Sequence, residues 1–547
     1  MSTVTTCPHC LSSLDGVSLP NTPIHPPSPA AESLANSNEP PLDSFNDYEN
    51  NLAQTQTRLK LVVAEIARME KSLRVLQEER DCLNGFVVTY KRILQPIRRL
   101  PDNILREVFR LSTDDGSLDM ELFPGPKRVK AESDSLSPNQ MPWKLGQISH
   151  HWCEVALAYP SLWSFIRIQF PDHSSSQQLL AGMSAQLVRQ LRRSRSSMLT
   201  ISLHNKPAHS LHENDPFLTA ISPHSSRWVA LRADLTPQDL CVLGNLIRGE
   251  VQNLRKLYLH NPGPVYQPTE LEGINAFQIA PCLHDITISA QRGLDRLPIP
   301  WSQITTLRTS ADGSSESFPR LSHLQYTPNL EAFFIFVLTL GINTPVAAVL
   351  PSLRILSVQC NSSNSRDVEY LLEHFGSVRL RELRINAEAL TSFLIRVPST
   401  LGNALRSLCL RVDGFSSSDA VMVFSSLPVL ESLSLCNMQS GVLSDLAARD
   451  STGRLQFLPR LLDVGFYATK AATCDDSALL QVLDNRFRRN SSSKSPTDRD
   501  ELQLQKVRIH RNISLQESTL RQLEILVSEG LQVDTSPVDW IHFFPGF

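Results

Sequence analysis

Cys7-Pro-His-Cys10 is the first place in the chain where residue types and spacing suggest chemistry. Two thiols two residues apart suit a thioredoxin-like redox pair or half of a zinc site, since both need close, soft sulfur ligands. The surroundings complete neither: no strand-forming run precedes the pair and no second CxxC follows it. His150-His151 falls inside an apolar helical pattern and reads as a solvated pair of helix residues. Cys409 and Cys436 fall in repeated strand patterns, where a small cysteine serves packing. The chain has no G-x-S-x-G elbow, no P-loop, no H-E-x-x-H and no glycine-rich dinucleotide turn after a strand. The expectation is a non-catalytic protein that needs no metal and no cofactor.

The chemistry must then be that of binding, and composition bounds it. A chain of 547 residues has room for two to four folded units. A formal net charge of −3 gives no reason to expect nucleic-acid or anionic-membrane binding across the whole surface. The 10 cysteines are scattered rather than set at disulfide-framework spacings, and no signal peptide is apparent, which favours a reducing compartment. The longest apolar run, residues 332–342, is shorter than the roughly 20 residues a helix needs to span a bilayer, and reads as buried strand and turn. The expectation is a soluble protein of the cytoplasm, the nucleus or both. Lys127-Arg-Val-Lys130 and Arg192-Arg-Ser-Arg195 have the look of short basic import signals, and Arg488-Arg-Asn-Ser491 of a basophilic kinase site. All are low in specificity, and such clusters are more often solvated surface.

Two apolar helical patterns stand out. In Leu100-Pro-Asp-Asn-Ile-Leu-Arg-Glu-Val-Phe109, Pro101 suits a first helical turn, and Ile104, Leu105, Val108 and Phe109 recur at helical spacing. In residues 143–156, Leu145, Ile148, Trp152, Val155 and Ala156 do the same, followed by Tyr159-Pro-Ser-Leu-Trp163. Two short helices cannot bury so much apolar surface alone, so the surplus must face another helix of this chain or another protein. The pattern Leu-Pro-x-x-Ile-Leu-x-x-Val-Phe, resumed as Leu-x-x-Ile-x-x-x-Trp-x-x-Val-Ala and Pro-x-Leu-Trp, resembles the F-box. That family's small helical module docks on a Skp-family adaptor of cullin–RING ubiquitin ligases. The resemblance covers residues 96–165 and is interrupted by 112–141, a polar, Pro/Gly/Ser-rich segment expected to be a disordered insertion. It implies that Leu100, Pro101, Ile104, Leu105, Val108, Phe109, Leu145, Ile148 and Trp152 meet the adaptor. Each fully buried Leu, Ile or Phe is worth roughly 1.5–3 kcal/mol, so losing two or three would abolish docking.

Residues 1–45 lack apolar periodicity and are expected to be disordered. Residues 46–95 instead carry Leu59, Val62, Ile66, Met69, Leu73, Leu76, Leu83, Val87, Tyr90 and Leu94 at alternating steps of three and four, broken only by Arg80. That spacing predicts a coiled-coil helix, ended or kinked by Pro96. Its partner is either a second copy in a parallel homodimer or the rest of the same chain.

After a connector at 166–226, a template Leu-x-x-Leu-x-Leu recurs through 227–535: Trp228-Val-Ala-Leu-Arg-Ala, Leu254-Arg-Lys-Leu-Tyr-Leu, and further copies starting at Leu283, Ile304, Leu330, Leu353, Leu380, Leu405, Leu430, Leu461 and Leu504. Most intervals are near those of leucine-rich repeats. Amphipathic stretches such as 368–375 and 479–483 suggest strand plus helix per period, and hence a curved α/β solenoid of degenerate repeats. The clean Asn of the family pattern stands only at Asn361. An amphipathic helix at 515–527 would cap the last repeat, a polar loop at 488–500 would interrupt it, and 536–547 would be a tail.

Strand side chains alternate faces. The positions between and just after the paired apolar ones, Tyr258, His260, Phe334, Phe336, Arg384, Arg411, Tyr467 and Arg508, would therefore line the concave surface. Aromatic and Arg residues of this kind dominate interface hot spots, so this face is expected to take a client protein. The whole reads as a helical N-terminal part followed by an α/β leucine-rich-repeat solenoid. The expected function is the substrate-recognition subunit of a Skp–cullin–F-box ubiquitin ligase, reaching cullin and RING subunits through the adaptor. The alternative is an interaction scaffold that binds a Skp-type adaptor without a cullin.

Overall fold

The computed structural model describes residues 45–113, 134–171, 176–207, 210–247, 249–260, 262, 275–289, 297–311, 323–337, 350–360, 379–387, 403–412, 415–436, 439–451, 453–468, 472–473, 475–488, 502–510 and 512–535. The expectations for 1–44 with Cys7 and Cys10, for 127–130, Asn361, 368–375 and 489–500, and for the tail lie outside them. The chain divides into two compact units, 1–100 and 101–547. The first contains α1, Phe45–Ile93, a 49-residue helix with no buried residue, and a 3₁₀ turn at Pro96–Arg99. No helix among the described residues is long and apolar enough to cross a membrane.

The second unit opens with α2 (Asp102–Thr113), a 3₁₀ turn (Trp143–Gln147), α3 (His150–Leu157) and a second 3₁₀ turn (Pro160–Trp163). Ser149 caps α3, its hydroxyl accepting from the Trp152 backbone N–H at 3.2 Å. There follows a 14-stranded parallel sheet whose strand order is the order of the chain. It runs β1 (Phe165–Gln169), β2 (Leu199–His204), β3 (Trp228–Asp234), β4 (Lys256–His260), β5 (Asp285–Ser289), β6 (Thr306–Ala311), β7 (Ala332–Val337), β8 (Ile355–Cys360), β9 (Glu382–Ala387), β10 (Ser407–Val412), β11 (Ser432–Cys436), β12 (Asp463–Tyr467), β13 (Lys506–Ile509) and β14 (Gln532–Asp534). The connecting helices described are α4 (Gln177–Arg193), α5 (Pro216–Ile221), α6 (Pro237–Ile247), α7 (Ser417–Ser425), α8 (Ser440–Ala447), α9 (Asp476–Phe487) and α10 (Glu517–Ser528). Strand-plus-helix units stacked in sequence order on one parallel sheet are the architecture of a leucine-rich-repeat solenoid.

The template explains the stacking. Its first apolar residue, Leu254 or Leu405 for example, lies in the turn before the strand, and the next two point from the strand into the same core. In-register pairing lines these positions up: Ile201, Leu231 and Leu257 are successive neighbours, as are Leu383, Leu408 and Leu433. No single repeat can close such a core, so each depends on the next.

Three boundaries differ from expectation. The connector at 166–226 is part of the sheet, contributing β1, α4, β2 and α5. Trp163, the last residue of the F-box-like pattern, is itself the leading apolar residue of the first repeat, buried ahead of Ile166 and Ile168 as Trp228 is ahead of Leu231 and Ala233. In β2 the leading position is Met198, half exposed, so the template is incomplete there. Both ends of the segment 112–141, expected to be disordered, are structured. α2 reaches Thr113, and the segment from residue 134 covers the free edge of β1. Ser135 Oγ donates to the Arg167 carbonyl at 2.9 Å and accepts from the Arg167 N–H at 2.9 Å, while Leu136 enters the core. An edge strand presents unpaired backbone groups, and this cover satisfies two of them. Finally, α10 is followed by β14, so it does not end the stack.

Candidate functional site

The helical module of residues 101–163 divides the sequence-derived adaptor residues into two sets. Leu105 and Phe109 of α2 are fully buried, and Leu145 and Trp152 nearly so. Phe109 meets Trp152 with ring centroids 5.0 Å apart. These four hold the module together and are not available to a partner, which corrects the expectation that they meet an adaptor. Pro101 lies on the surface, and Ile104, Val108 and Ile148 are 45%, 37% and 48% exposed. Leu111, which sequence reasoning passed over, extends the Ile104–Val108 stripe one turn further at 63% exposure. Residues at i, i+4 and i+7 share one helix face. A stripe of this length, backed by a packed opposite face, leaves contiguous apolar area in contact with water. Leu100 ends the other unit.

The module is fastened to the solenoid by tryptophans. Trp143 and Trp163 meet edge to face at 4.8 Å, and the Arg193 guanidinium at the end of α4 stands 4.6 and 4.4 Å from their ring centres. Both indole N–H groups are used: Trp143 donates to the Ser135 carbonyl and Trp163 to the Ala156 carbonyl. His150 and His151 lie on the surface of α3, within ion-pair reach of Glu154 at 3.6 Å and Asp102 at 3.4 Å. Among the described residues no cluster of His, Cys, Asp and Glu is arranged to hold a metal.

The face of the sheet away from the core carries the expected client residues, in a different condition from the one expected. Its central row includes Arg167, Arg232, Arg308, Arg384 and Arg508, and four of them are ion-paired locally. Arg232 meets Asp234 (3.1 Å), Arg384 meets Glu382 (2.6 Å), Arg508 meets Asp463 (2.7 Å), and Arg308 meets Asp285. Arg232 lies over the Tyr258 ring at 4.7 Å, and Arg308 over Phe334 at 5.1 Å. Tyr258 and Tyr467 are buried, contrary to expectation, while His260, Phe334, Phe336, Arg384, Arg411 and Arg508 are half-buried. Tyr467 is covered because its ring lies over Gly465, where a Cβ would stand 2.6 Å from Cε2. It forms a small apolar cluster on this face with Cys409 and Cys436. Burial pushes the Tyr467 phenol up to about 12 and raises the Cys409 thiol, so neither ionises near neutrality and Cys409 is no nucleophile.

One constellation was not legible in the sequence, because its members come from two strands. Ser202 Oγ lies 2.8 Å from His204 Nε2, and His204 Nδ1 lies 2.7 Å from Asp234 Oδ2. The order is that of a serine hydrolase triad. Three observations speak against nucleophilic chemistry. Ser202 is only 1% exposed. β2 is paired on both sides, so its N–H groups are committed to the ladder and none is left for an oxyanion. Asp234 is shared with Arg232. Burial would raise the Asp234 carboxyl, but the His204 hydrogen bond and the Arg232 guanidinium outweigh it and hold the group below the usual range. Burial lowers the neighbouring His260, an effect Asp234 only partly offsets. Asp134 completes the group: burial pushes its carboxyl up to about 6, despite the Leu136 N–H, Arg167 and His204.

No family model and no curated protein matches the chain. Among solved structures, the leucine-rich repeat-containing protein LegL7 from Legionella pneumophila is similar, with 15% identity, 58% of this chain and 97% of that chain covered, and a TM-score of 0.33. A likeness at that score carries no argument. The repeat architecture rests on the strand ladder and on the buried template positions of this chain.

Proposed function

We propose that this protein is a non-catalytic adaptor-bound receptor, the substrate-recognition subunit of a Skp–cullin–RING type ubiquitin ligase. The observation that supports this reading is the exposed stripe Ile104, Val108 and Leu111, with Pro101 and Ile148, on a module whose Leu105, Phe109, Leu145 and Trp152 are already buried. An F-box-like sequence would present such a stripe to a Skp-family adaptor. The half-buried Phe334, Phe336 and Arg411 would contribute to client capture on the sheet. Catalysis would come from proximity, by raising the effective concentration of a charged ubiquitin carrier at client lysines.

The test separates docking from folding. Affinity purification of the wild type is set beside Ile104→Asp/Val108→Asp/Ile148→Asp, which changes exposed positions only. Adaptor and cullin should disappear from the variant while its thermal transition stays in place. Retention of both would end the proposal. Recovery of adaptor without cullin from the wild type would favour the scaffold reading.

A further inference from the structure

We infer that α1 is one strand of a parallel, in-register, two-stranded coiled coil formed by two copies of this chain. The helix begins at Phe45, well ahead of Leu59, and the added turns continue the seam: Phe45, Tyr48, Leu52 and Thr55 keep the alternating steps of four and three. In heptad terms, Phe45, Leu52, Leu59, Ile66, Leu73, Arg80 and Val87 stand at a, and Tyr48, Thr55, Val62, Met69, Leu76, Leu83 and Tyr90 at d. Seam residues Leu59, Leu73, Leu76 and Leu83 are each more than half exposed. A lone helix of about 74 Å cannot sustain that exposure in water, because helical stability in proteins comes mainly from packing an apolar face.

Charge selects the occupant. Arg80 is the single charged seam residue, and a charged group at one a position fixes register and strand number. In a parallel pair of identical helices, Arg80 of each copy lies beside Glu79, at g, of the other, giving two reciprocal pairs. Antiparallel registers that use the whole seam set Arg80 against Val62 or Thr55, which cannot neutralise it. Without a partner, Arg80 folds onto Asp81 of its own helix at 2.7 Å. One contact opposes the arrangement: Glu65 at g faces Glu70 at e of the other copy. Arg68 holds Glu65 at 2.6 Å and relieves part of this.

That opposing contact makes the inference testable with the full-length chain. Sedimentation at micromolar concentration should give the mass of two 61.2-kDa chains. Ile66→Asp/Leu73→Asp should give one, with lower helicity and an unshifted melting transition for residues 101–547. Glu70→Lys should tighten the dimer about tenfold by turning the repulsion into a pair. Under mild oxidation Leu76→Cys should cross-link to itself above the wild-type background, since d faces d only in the parallel register. A wild-type monomer at tens of micromolar, a dimer that survives the double Asp variant, a Glu70→Lys dimer that is no tighter, or the absence of a Leu76→Cys cross-link would each overturn it.

Discussion

The helical module of residues 101–163 and the outer face of the sheet both carry candidate binding residues, and they use them in opposite ways. On α2 the apolar side chains split cleanly. Leu105 and Phe109 are spent on the interior, while Ile104, Val108 and Leu111 are left on the surface. On the sheet less is left over, because each of four arginines has an acidic neighbour within the ladder and two also cover aromatic rings. A partner docking on the stripe only has to exclude water from apolar area. One docking on the sheet must compete with ion pairs already formed, and displacing them costs desolvation. Residues of hot-spot type therefore do not identify a binding surface until it is known what already satisfies them.

Changes that break this contrast should differ in size. Phe109→Ala removes a fully buried ring and should destabilise the second unit by about 3–5 kcal/mol, whereas Ile104→Asp on the same helix should stay within about 0.5 kcal/mol. Chemical denaturation of the two variants checks this, and equal losses would erase the distinction between core and surface residues. On the sheet, Arg508→Ala strands Asp463 in a half-buried site and should cost about 1–3 kcal/mol. The exposed Arg521–Glu517 pair offers a control, with Arg521→Ala near zero in the same assay.

Asp134 gives the comparison a pH axis. Its folded value is raised, so the fold favours the protonated carboxyl. The stability it contributes is present below the unfolded value of about 4 and is lost as pH rises through about 6. Asp134→Asn should therefore stabilise the protein by about 1–2 kcal/mol at pH 7.5 and by roughly a third of that at pH 4.5. Thermal melts at the two pH values read this, and a gain confined to acid would reverse the sign. The smallest expected effect is none at all: fluorophosphonate probes should leave Ser202 unlabelled, and labelling abolished by Ser202→Ala would restore a catalytic reading.

Much of the solenoid was legible because its signal is local and repeated. Each Leu-x-x-Leu-x-Leu copy from Trp228 to Leu504 became a strand, since an apolar residue every second position has only one way to face a common core. The first repeats escaped notice because Trp163 had been read as the end of the F-box-like pattern and because the half-exposed Met198 leaves the second template incomplete. The client residues were legible only in part. Alternation placed Tyr467 on the outer face correctly, yet its burial follows from the missing side chain at Gly465 two residues earlier.

By itself, the sequence determined the order of the parts: a long helix with a heptad seam, a two-helix apolar pattern and a run of leucine-rich strands. Periodicity is a property of neighbours along the chain and survives without coordinates. Only the tertiary structure decided which members of each apolar pattern are spent. Whether Leu105 or Ile104 is free, and whether Arg508 has an acid beside it, depends on what distant segments bring to the same few ångströms. Ser202, His204 and Asp234 make the same point: three common residues on two strands became a hydrogen-bonded chain only when the register was set.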